Sequence, residues 1–378
     1  MCGIIGAVAQ RDVVGILVNG LEQLEYRGYD SAGIAAIEGD QMQRVRAMGK
    51  LVQLKRTLEK EACSGKIGIG HTRWATHGVP AVHNAHPHHC GEFTLVHNGI
   101  MENHAAYRKL QDHHHFESET DSEVIVHLLS DESKSESDFF SLVRKVVGKL
   151  EGSYALAVIR SSEPNEMIVA RHGSPLVIGL GIGENFIASD VLALLSVTSR
   201  FIYLEEGDVA KISTDKIVIV DAQGEIVDRP IKESSLKASS SSRGAFRHFM
   251  LKEIFEQPTV ISDALEGRLL DNTVLEASLL GEHAQEMLGS VKRVQIAACG
   301  TSYHSGLTAK YWFEKWAGIP CDVDIASELR YRKPVIIENT FLVVISQSGE
   351  TADTLAVLLA AKDFAYAYSL AICNVPES

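Results

Sequence analysis

The chain has 378 residues, 45% of them hydrophobic and 22% charged, with a net charge of −13 when histidine is neutral. Those proportions suit a folded globular protein of two or three domains, and the acidic balance argues against any nucleic-acid partner. No apolar run approaches the roughly 20 residues that span a bilayer, no charged and then apolar leader precedes Cys2, and the six cysteines are scattered without a CxxC pair, so no membrane association and a reducing, cytoplasmic setting are expected.

The first element is a short apolar segment behind Met1-Cys2-Gly3. Loss of Met1 would leave Cys2 with a thiol and a primary amine on one residue. A thiol needs a base to become a nucleophile, and an N-terminal amine with a pKa of about 7.7–8.0 can serve. Residues 13–26 follow with Val13, Leu17, Leu21 and Leu24 on one helical face. A second helix is predicted from Thr120-Asp121, where short polar side chains can cap it, and a third over about 138–150. From 153 to 220 the texture becomes β-rich, with predicted strands at 154–159, 167–170, 176–180, 186–188, 201–204, 209–212 and 217–220, punctuated by Gly, Asp or Asn. Helices and many short strands together imply an α+β domain with antiparallel sheets.

The serine-rich stretch around Ser234, Ser235 and Ser239–Ser242 reads as a linker, so the predicted domains are 2–232 and 246–378, with 233–245 between them. Beyond it, strands at 294–298 and 341–345 each lead into a polar turn and a helix, extending to about 316 and 362, and a third strand is predicted at 369–373. Strand, polar turn, helix, repeated, implies an α/β doubly wound parallel sheet. Both turns, Cys299-Gly300-Thr301-Ser302 and Ser346-Gln347-Ser348-Gly349-Glu350-Thr351, fall at carboxyl ends of strands and at helix N-termini. Backbone N–H groups and hydroxyls there can hold a phosphate or simply cap the helix.

In the first domain, Arg73 can grip a carboxylate bidentately and Asp121 can accept from an ammonium; a surface ion pair and a helix cap are the plain alternatives. Asn98-Gly99, after a strand at 93–96, reads either as an oxyanion hole or as a hairpin turn. His83, His86, His88 and His89 crowd Cys90 but lack the paired spacing of a zinc site, and the triplet His113–His115 reads as a solvated surface tract. No metal and no cofactor are expected.

Cys2-Gly3-Ile4-Ile5-Gly6, Tyr26-Arg27-Gly28-Tyr29-Asp30-Ser31-Ala32-Gly33, His71-Thr72-Arg73-Trp74-Ala75-Thr76-His77-Gly78, Asn84-Ala85-His86-Pro87-His88 and Val96-His97-Asn98-Gly99 resemble the class II glutamine amidotransferases. Together with Arg247-His248, Lys252-Glu253-Ile254, Glu256-Gln257-Pro258 and the two polar turns, they resemble the glutamine–fructose-6-phosphate aminotransferase family over the whole chain. The resemblance implies an N-terminal-nucleophile (Ntn) hydrolase domain of four layers, α/β/β/α, ahead of a sugar-isomerase (SIS) domain. It implies that Cys2 attacks the glutamine amide, that Asn98 and Gly99 hold the oxyanion, and that Arg73 and Asp121 bind the substrate carboxylate and ammonium. Trp74 would belong to a mobile loop closing over the site, and Trp74, Thr76 and His77 would join Arg73 and Asp121 in binding glutamine. Thr301, Ser302, Ser346, Gln347, Ser348 and Thr351 would contact fructose 6-phosphate, and the family suggests a homodimer. The isomerase glutamate, histidine and imine-forming lysine have no counterpart here, so a glutaminase with an incomplete first SIS domain is expected. A related phosphoribosyl amidotransferase would need an acidic pyrophosphate motif that Ser346–Thr351 does not supply. A glutaminase-only fragment, or a non-enzymatic sugar-phosphate sensor that retains Met1, is the remaining alternative.

Overall fold

The computed structural model of the chain describes all residues except 1, 76, 235–245, 266–268, 271–272, 275–283, 350 and 375–378, with the backbone alone at 263, 269–270, 273–274 and 285. The chain divides into two compact units, Met1–Ser242 and Arg243–Ser378.

The first unit holds β1 (Gly3–Val8), β2 (Ser31–Glu38), β3 (Gln41–Met48), β4 (Ile67–Arg73), β5 (His88–Cys90), β6 (Phe93–Met101), β7 (Gly152–Arg160) and β8 (Met167–His172). These are followed by β9 (Val177–Leu180), β10 (Asn185–Ala188), β11 (Arg200–Tyr203), β12 (Val209–Ile212), β13 (Ile217–Val220), β14 (Ile226–Val227) and β15 (Ile231–Glu233). They form two antiparallel sheets, in the orders β15-β11-β9-β10-β1-β4-β2-β3 and β14-β13-β12-β8-β7-β6-β5. The helices are α1 (Val14–Gln23), α2 (Leu51–Leu58), α3 (His104–Leu110), α4 (Asp121–Glu132) and α5 (Phe139–Val147).

Strand periodicity explains the layering. Successive side chains of a strand face opposite ways, so a strand buried on both faces divides its apolar residues between two cores. In β1, Ile5 and Ala7 pack against Leu17 and Leu21 of α1 and Leu54 of α2, whereas Ile4 and Val8 face Val96, Ala155 and Ala157 of the other sheet. In β7, Ala155, Ala157 and Ile159 join that middle core while Leu156 and Val158 pack against Val124, Leu128, Leu142 and Val146 of α4 and α5. The result is the four-layer α/β/β/α arrangement. Thr120 caps α4 by accepting from the Glu123 N–H, and Asp138 caps α5 by accepting from the Ser141 N–H, as their positions before apolar runs suggest.

Three expectations shift. The first helix ends at Gln23 and gives way to a 3₁₀ turn over Glu25–Arg27, though Val13, Leu17, Leu21 and Leu24 are all buried as its stripe requires. Glu233, expected in the linker, pairs with Arg200 as the last residue of β15; the rest of the predicted linker from 235 lies outside the described residues. Asn98-Gly99 is no hairpin turn: both residues sit inside β6, opposite Ala155 and Tyr154 of β7.

The second unit contains α6 (Phe249–Leu265), a small ladder of β16 (Leu269–Leu270) with β17 (Thr273–Val274), α7 (Ala284–Ser290), β18 (Arg293–Ala298) and α8 (Gly300–Trp312). Next come β19 (Cys321–Ile325), α9 (Ala326–Leu329), β20 (Thr340–Ser346), α10 (Ala352–Ala360) and β21 (Tyr368–Cys373). A parallel sheet runs β19-β18-β20-β21. Leu342 and Val344 pack on one face, Phe341 and Val343 on the other, the two-sided burial of a doubly wound sheet. The helix expected to reach 316 changes at Phe313 to a π-helical turn that stops at Gly318, whose φ of 65° suits glycine.

Candidate active site

β1 is the central strand that delivers Cys2. It pairs with β4 so that Gly3 lies opposite Thr72 and Ile4 opposite His71, which sets the preceding residue beside the end of β4. There the Trp74 N–H donates to Cys2 Sγ at 3.3 Å, and Sγ lies 3.6 Å from the Trp74 carbonyl oxygen. The backbone nitrogen of Cys2 donates to Asn98 Oδ1 at 3.3 Å. With Oδ1 turned to that nitrogen, the NH₂ end of the Asn98 amide is the donor end.

Gly99 shows why the dipeptide must carry glycine. Its φ is +149°, and a Cβ there would lie 1.9 Å from the Ser153 carbonyl oxygen on β7. Gly28 meets a similar constraint, since its Cβ would fall 2.6 Å from the Arg73 carbonyl carbon. The glycines keep two backbone segments pressed against the cleft.

Arg73, the last residue of β4, is buried and lies 3.7 Å from Asp30 Oδ1. Its guanidinium donates to the carbonyl oxygens of His77, Gly78 at 3.0 Å and Val79 at 3.4 Å. Asp30 also accepts from the Ala75 N–H, so Arg73 and Asp30 together pin the segment after β4. Trp74 is about half exposed and meets Tyr29 edge-on at 5.2 Å. Thr76 lies outside the described residues. Asp121 opens α4 and is buried, its Oδ2 accepting from the Met101 N–H at 2.8 Å.

Cys2, Arg73, Trp74, His77, Gly99 and Asp121 therefore line one cleft, with Asn98 on the nitrogen of Cys2. The open volume of the cleft is about 10 Å³, no more than one water needs. As it stands the cleft has no room for a ligand the size of an amino acid.

The wall behind the thiol is built of histidines that spacing alone does not bring together. His86, His97, Thr120 and Ser122 join the lining, and the buried His71 stacks on His86 at 4.1 Å. His71 Nε2 is 3.0 Å from the His97 carbonyl oxygen, and His97 Nδ1 is 2.9 Å from Ser122 Oγ. Burial holds the His71 pKa down at about 3 and those of His86 and His88 well below the usual range; it lowers His97 as well. These imidazoles are neutral at neutral pH. Burial raises the Cys2 thiol, assisted by Asp30, against the opposing influence of the Trp74 N–H and Arg73. Cys2 is thus a thiol at rest. His71, His86 and His97 stand inside the short motifs at 71–78, 84–88 and 96–99, which is the one signal the sequence offers for them.

In the second unit, β18 and β20 are adjacent and parallel, so the turn of Thr301 and Ser302 and the turn of Ser346–Thr351 share one edge of the sheet. Ser346 Oγ lies 3.1 Å from Thr351 Oγ1 and accepts from the Gly349 N–H at 3.1 Å. The Gln347 carbonyl oxygen accepts from the Asn374 N–H at 3.3 Å. A cavity of about 500 Å³ opens at the opposite, amino-terminal end of these strands, beside Arg293, Asp322 and Thr340.

Residues 71–196 match the glutamine amidotransferase domain family, and residues 287–378 match the SIS domain family. A protein of Shewanella oneidensis named glutamine–fructose-6-phosphate aminotransferase (isomerizing) is 52% identical over 381 aligned residues, spanning all of this chain and 62% of that protein. A protein of the same name from Vibrio cholerae is 53% identical over the same extents. The chain thus spans about three-fifths of the length of these relatives. A solved structure described as the allosteric regulatory enzyme of purine biosynthesis superposes with a TM-score of 0.50 at 19% identity, covering 99% of this chain and 81% of its own, a likeness of fold. With the antiparallel sheets and the parallel sheet, these findings identify an Ntn-type amidotransferase fold followed by an SIS-type sheet.

Proposed function

From the premise that the chain is a homologue of the glutamine–fructose-6-phosphate aminotransferases along its whole length, we propose that its first unit hydrolyses glutamine and its second binds fructose 6-phosphate. The observation that carries the first half is the meeting of Cys2 with Asn98, 96 residues away, in a cleft that also holds Arg73 and Asp121. Once Met1 is removed, the nitrogen now 3.3 Å from Asn98 becomes a primary amine. It takes the thiol proton as Sγ attacks the side-chain amide carbon of glutamine, which suits a thiol that burial keeps protonated at rest. The oxyanion is held by the Asn98 amide and the Gly99 N–H, together worth several kcal/mol of barrier. The amine then returns the proton to the departing ammonia, and water cleaves the thioester to glutamate.

Arg73 takes the substrate carboxylate and Asp121 its ammonium, with Trp74, Thr76 and His77 in the segment that rearranges. The ammonia released serves amination of the sugar phosphate. Thr301, Ser302, Ser346, Gln347, Ser348 and Thr351 supply hydroxyls and N–H groups to the sugar and its phosphate at two adjacent helix N-termini. A homodimer in a reducing compartment completes the reading, in keeping with six unpaired cysteines.

The test is glutamate and ammonia release by the 378-residue chain, with loss of Met1 confirmed by intact mass. Cys2→Ser should abolish turnover while leaving glutamine binding by calorimetry. Undiminished hydrolysis in Cys2→Ser refutes the reading. Tight sugar-phosphate binding without any hydrolysis by the processed chain would favour the sensor instead.

A further inference from the structure

Away from the cleft, three donors from separate segments converge. Cys90 ends β5, His114 lies in the turn after α3, and His127 stands in the second turn of α4. One donor atom from each falls within 4.8 Å of the other two, and Cys90 Sγ is 3.2 Å from His127 Nδ1. The two imidazoles stack at 4.2 Å, and Phe116 closes over His127 edge-on at 4.6 Å.

What distinguishes this cluster from a thiol–imidazole hydrogen bond is the far side of each ring. His127 is buried, and its Nε2 has no hydrogen-bond partner among the described residues but faces Glu123 Oε1 at 3.6 Å. His114 Nε2 lies 3.1 Å from Asp131 Oδ1. Histidines that ligate a metal characteristically present the other ring nitrogen to a carboxylate, which fixes the ring and raises its basicity. Both rings have that arrangement, which assigns Nδ1 of each as the ligand atom; His127 Nδ1 already faces Cys90 Sγ. Zinc–sulfur and zinc–nitrogen bonds of about 2.3 and 2.0–2.1 Å put tetrahedral neighbours roughly 3.3–3.8 Å apart, so modest rotation of His114 closes the set.

The geometry points to a site for a borderline-soft divalent cation of the zinc class, held by Cys90 Sγ, His127 Nδ1 and His114 Nδ1, with water in the fourth position. Glu123 and Asp131 orient the two rings. Binding releases to solvent the protons that Cys90 Sγ and His127 Nδ1 hold in the metal-free chain, and leaves a thiolate and a neutral imidazole on the metal. The cation joins β5 to α4, the helix whose first residue is Asp121.

The experiment uses the 378-residue chain stripped of metal by a chelator, titrated with Zn²⁺ against a chromophoric competitor and separately with Co²⁺. To remove the thiol of the cleft, the background is Cys2→Ser. One equivalent should bind and Co²⁺ should give a thiolate-to-metal charge-transfer band. Cys90→Ser should abolish the band, and His127→Gln or His114→Gln should lower zinc affinity at least 100-fold, with folding verified by circular dichroism. Asp131→Asn should weaken binding roughly 10–100-fold without removing the band. A band that survives Cys90→Ser, or a folded background protein that binds neither metal at micromolar concentration, overturns the proposal. If Cys90→Ser does not fold, the two histidine variants decide instead, and undiminished zinc affinity in both overturns it equally.

Discussion

His71 makes the first unit acid-sensitive by a calculable amount. Burial, with Arg73 and His97 adding to it and a hydrogen bond to the His97 carbonyl opposing, holds its pKa at about 3 in the folded chain. In the unfolded chain it titrates near 6.5, so between those values the unfolded state binds the extra proton and stability falls as pH falls. Above pH 6.5 the group contributes no pH dependence. Each pH unit below it removes about 1.4 kcal/mol, hence about 2 kcal/mol at pH 5. That is a large share of the 5–15 kcal/mol by which domains are stable, and the lowered pKa values of His86, His88 and His97 act in the same direction. The assay is ¹⁵N–¹³C imidazole titration of the folded chain, joined to urea unfolding at pH 7, 6 and 5. His71 should stay neutral at pH 5, and His71→Gln should reduce proton uptake on unfolding at pH 5 by about one. A His71 imidazole that titrates between pH 5 and 7 in the native protein refutes the reasoning whatever the variant does.

Asn98→Ala removes both the oxyanion donor and the acceptor for the nitrogen of Cys2, and kcat for glutamine hydrolysis should fall about 10²–10³-fold with a smaller change in KM. Gly99→Ala forces a Cβ toward the Ser153 carbonyl at a φ of +149°; it should cost about 1–3 kcal/mol in denaturant unfolding and lower kcat together with stability. Arg73→Lys replaces a planar fork by a point charge and loses the three loop carbonyls, so KM for glutamine should rise at least tenfold; an unchanged KM would remove Arg73 from carboxylate binding. Asp138→Ala strips the cap of α5, remote from the cleft, and should cost about 1 kcal/mol with turnover unaltered.

Local chemistry is readable where it stays local. The leucine stripe of α1, the Thr120 cap, and the short strands from β7 to β13 follow from periodicity and turn residues that neighbours in the chain decide. The strands β2 and β4 are not legible in this way: Gly33, Gly68 and Gly70 interrupt apolar patterning where another backbone or side chain presses close. β19 is hidden as well, because Cys321–Ile325 alternates aspartates with small apolar residues, and its place is set by pairing with β18.

From the amino-acid order alone come the candidate nucleophile, the two charged residues proposed to grip an amino acid, the polar turns and the division into two units. Only the tertiary structure decides how they act on one another. The Asn98-Gly99 dipeptide favours a turn by itself, but nine ladder pairs between β6 and β7 hold it extended, which puts its amide on Cys2. The register of β1 against β4 sets the thiol beside Trp74, and burial then keeps that thiol protonated and its histidine wall neutral. Cys90, His114 and His127 meet for the same reason: strand pairing and helix packing bring together donors that no spacing along the chain connects.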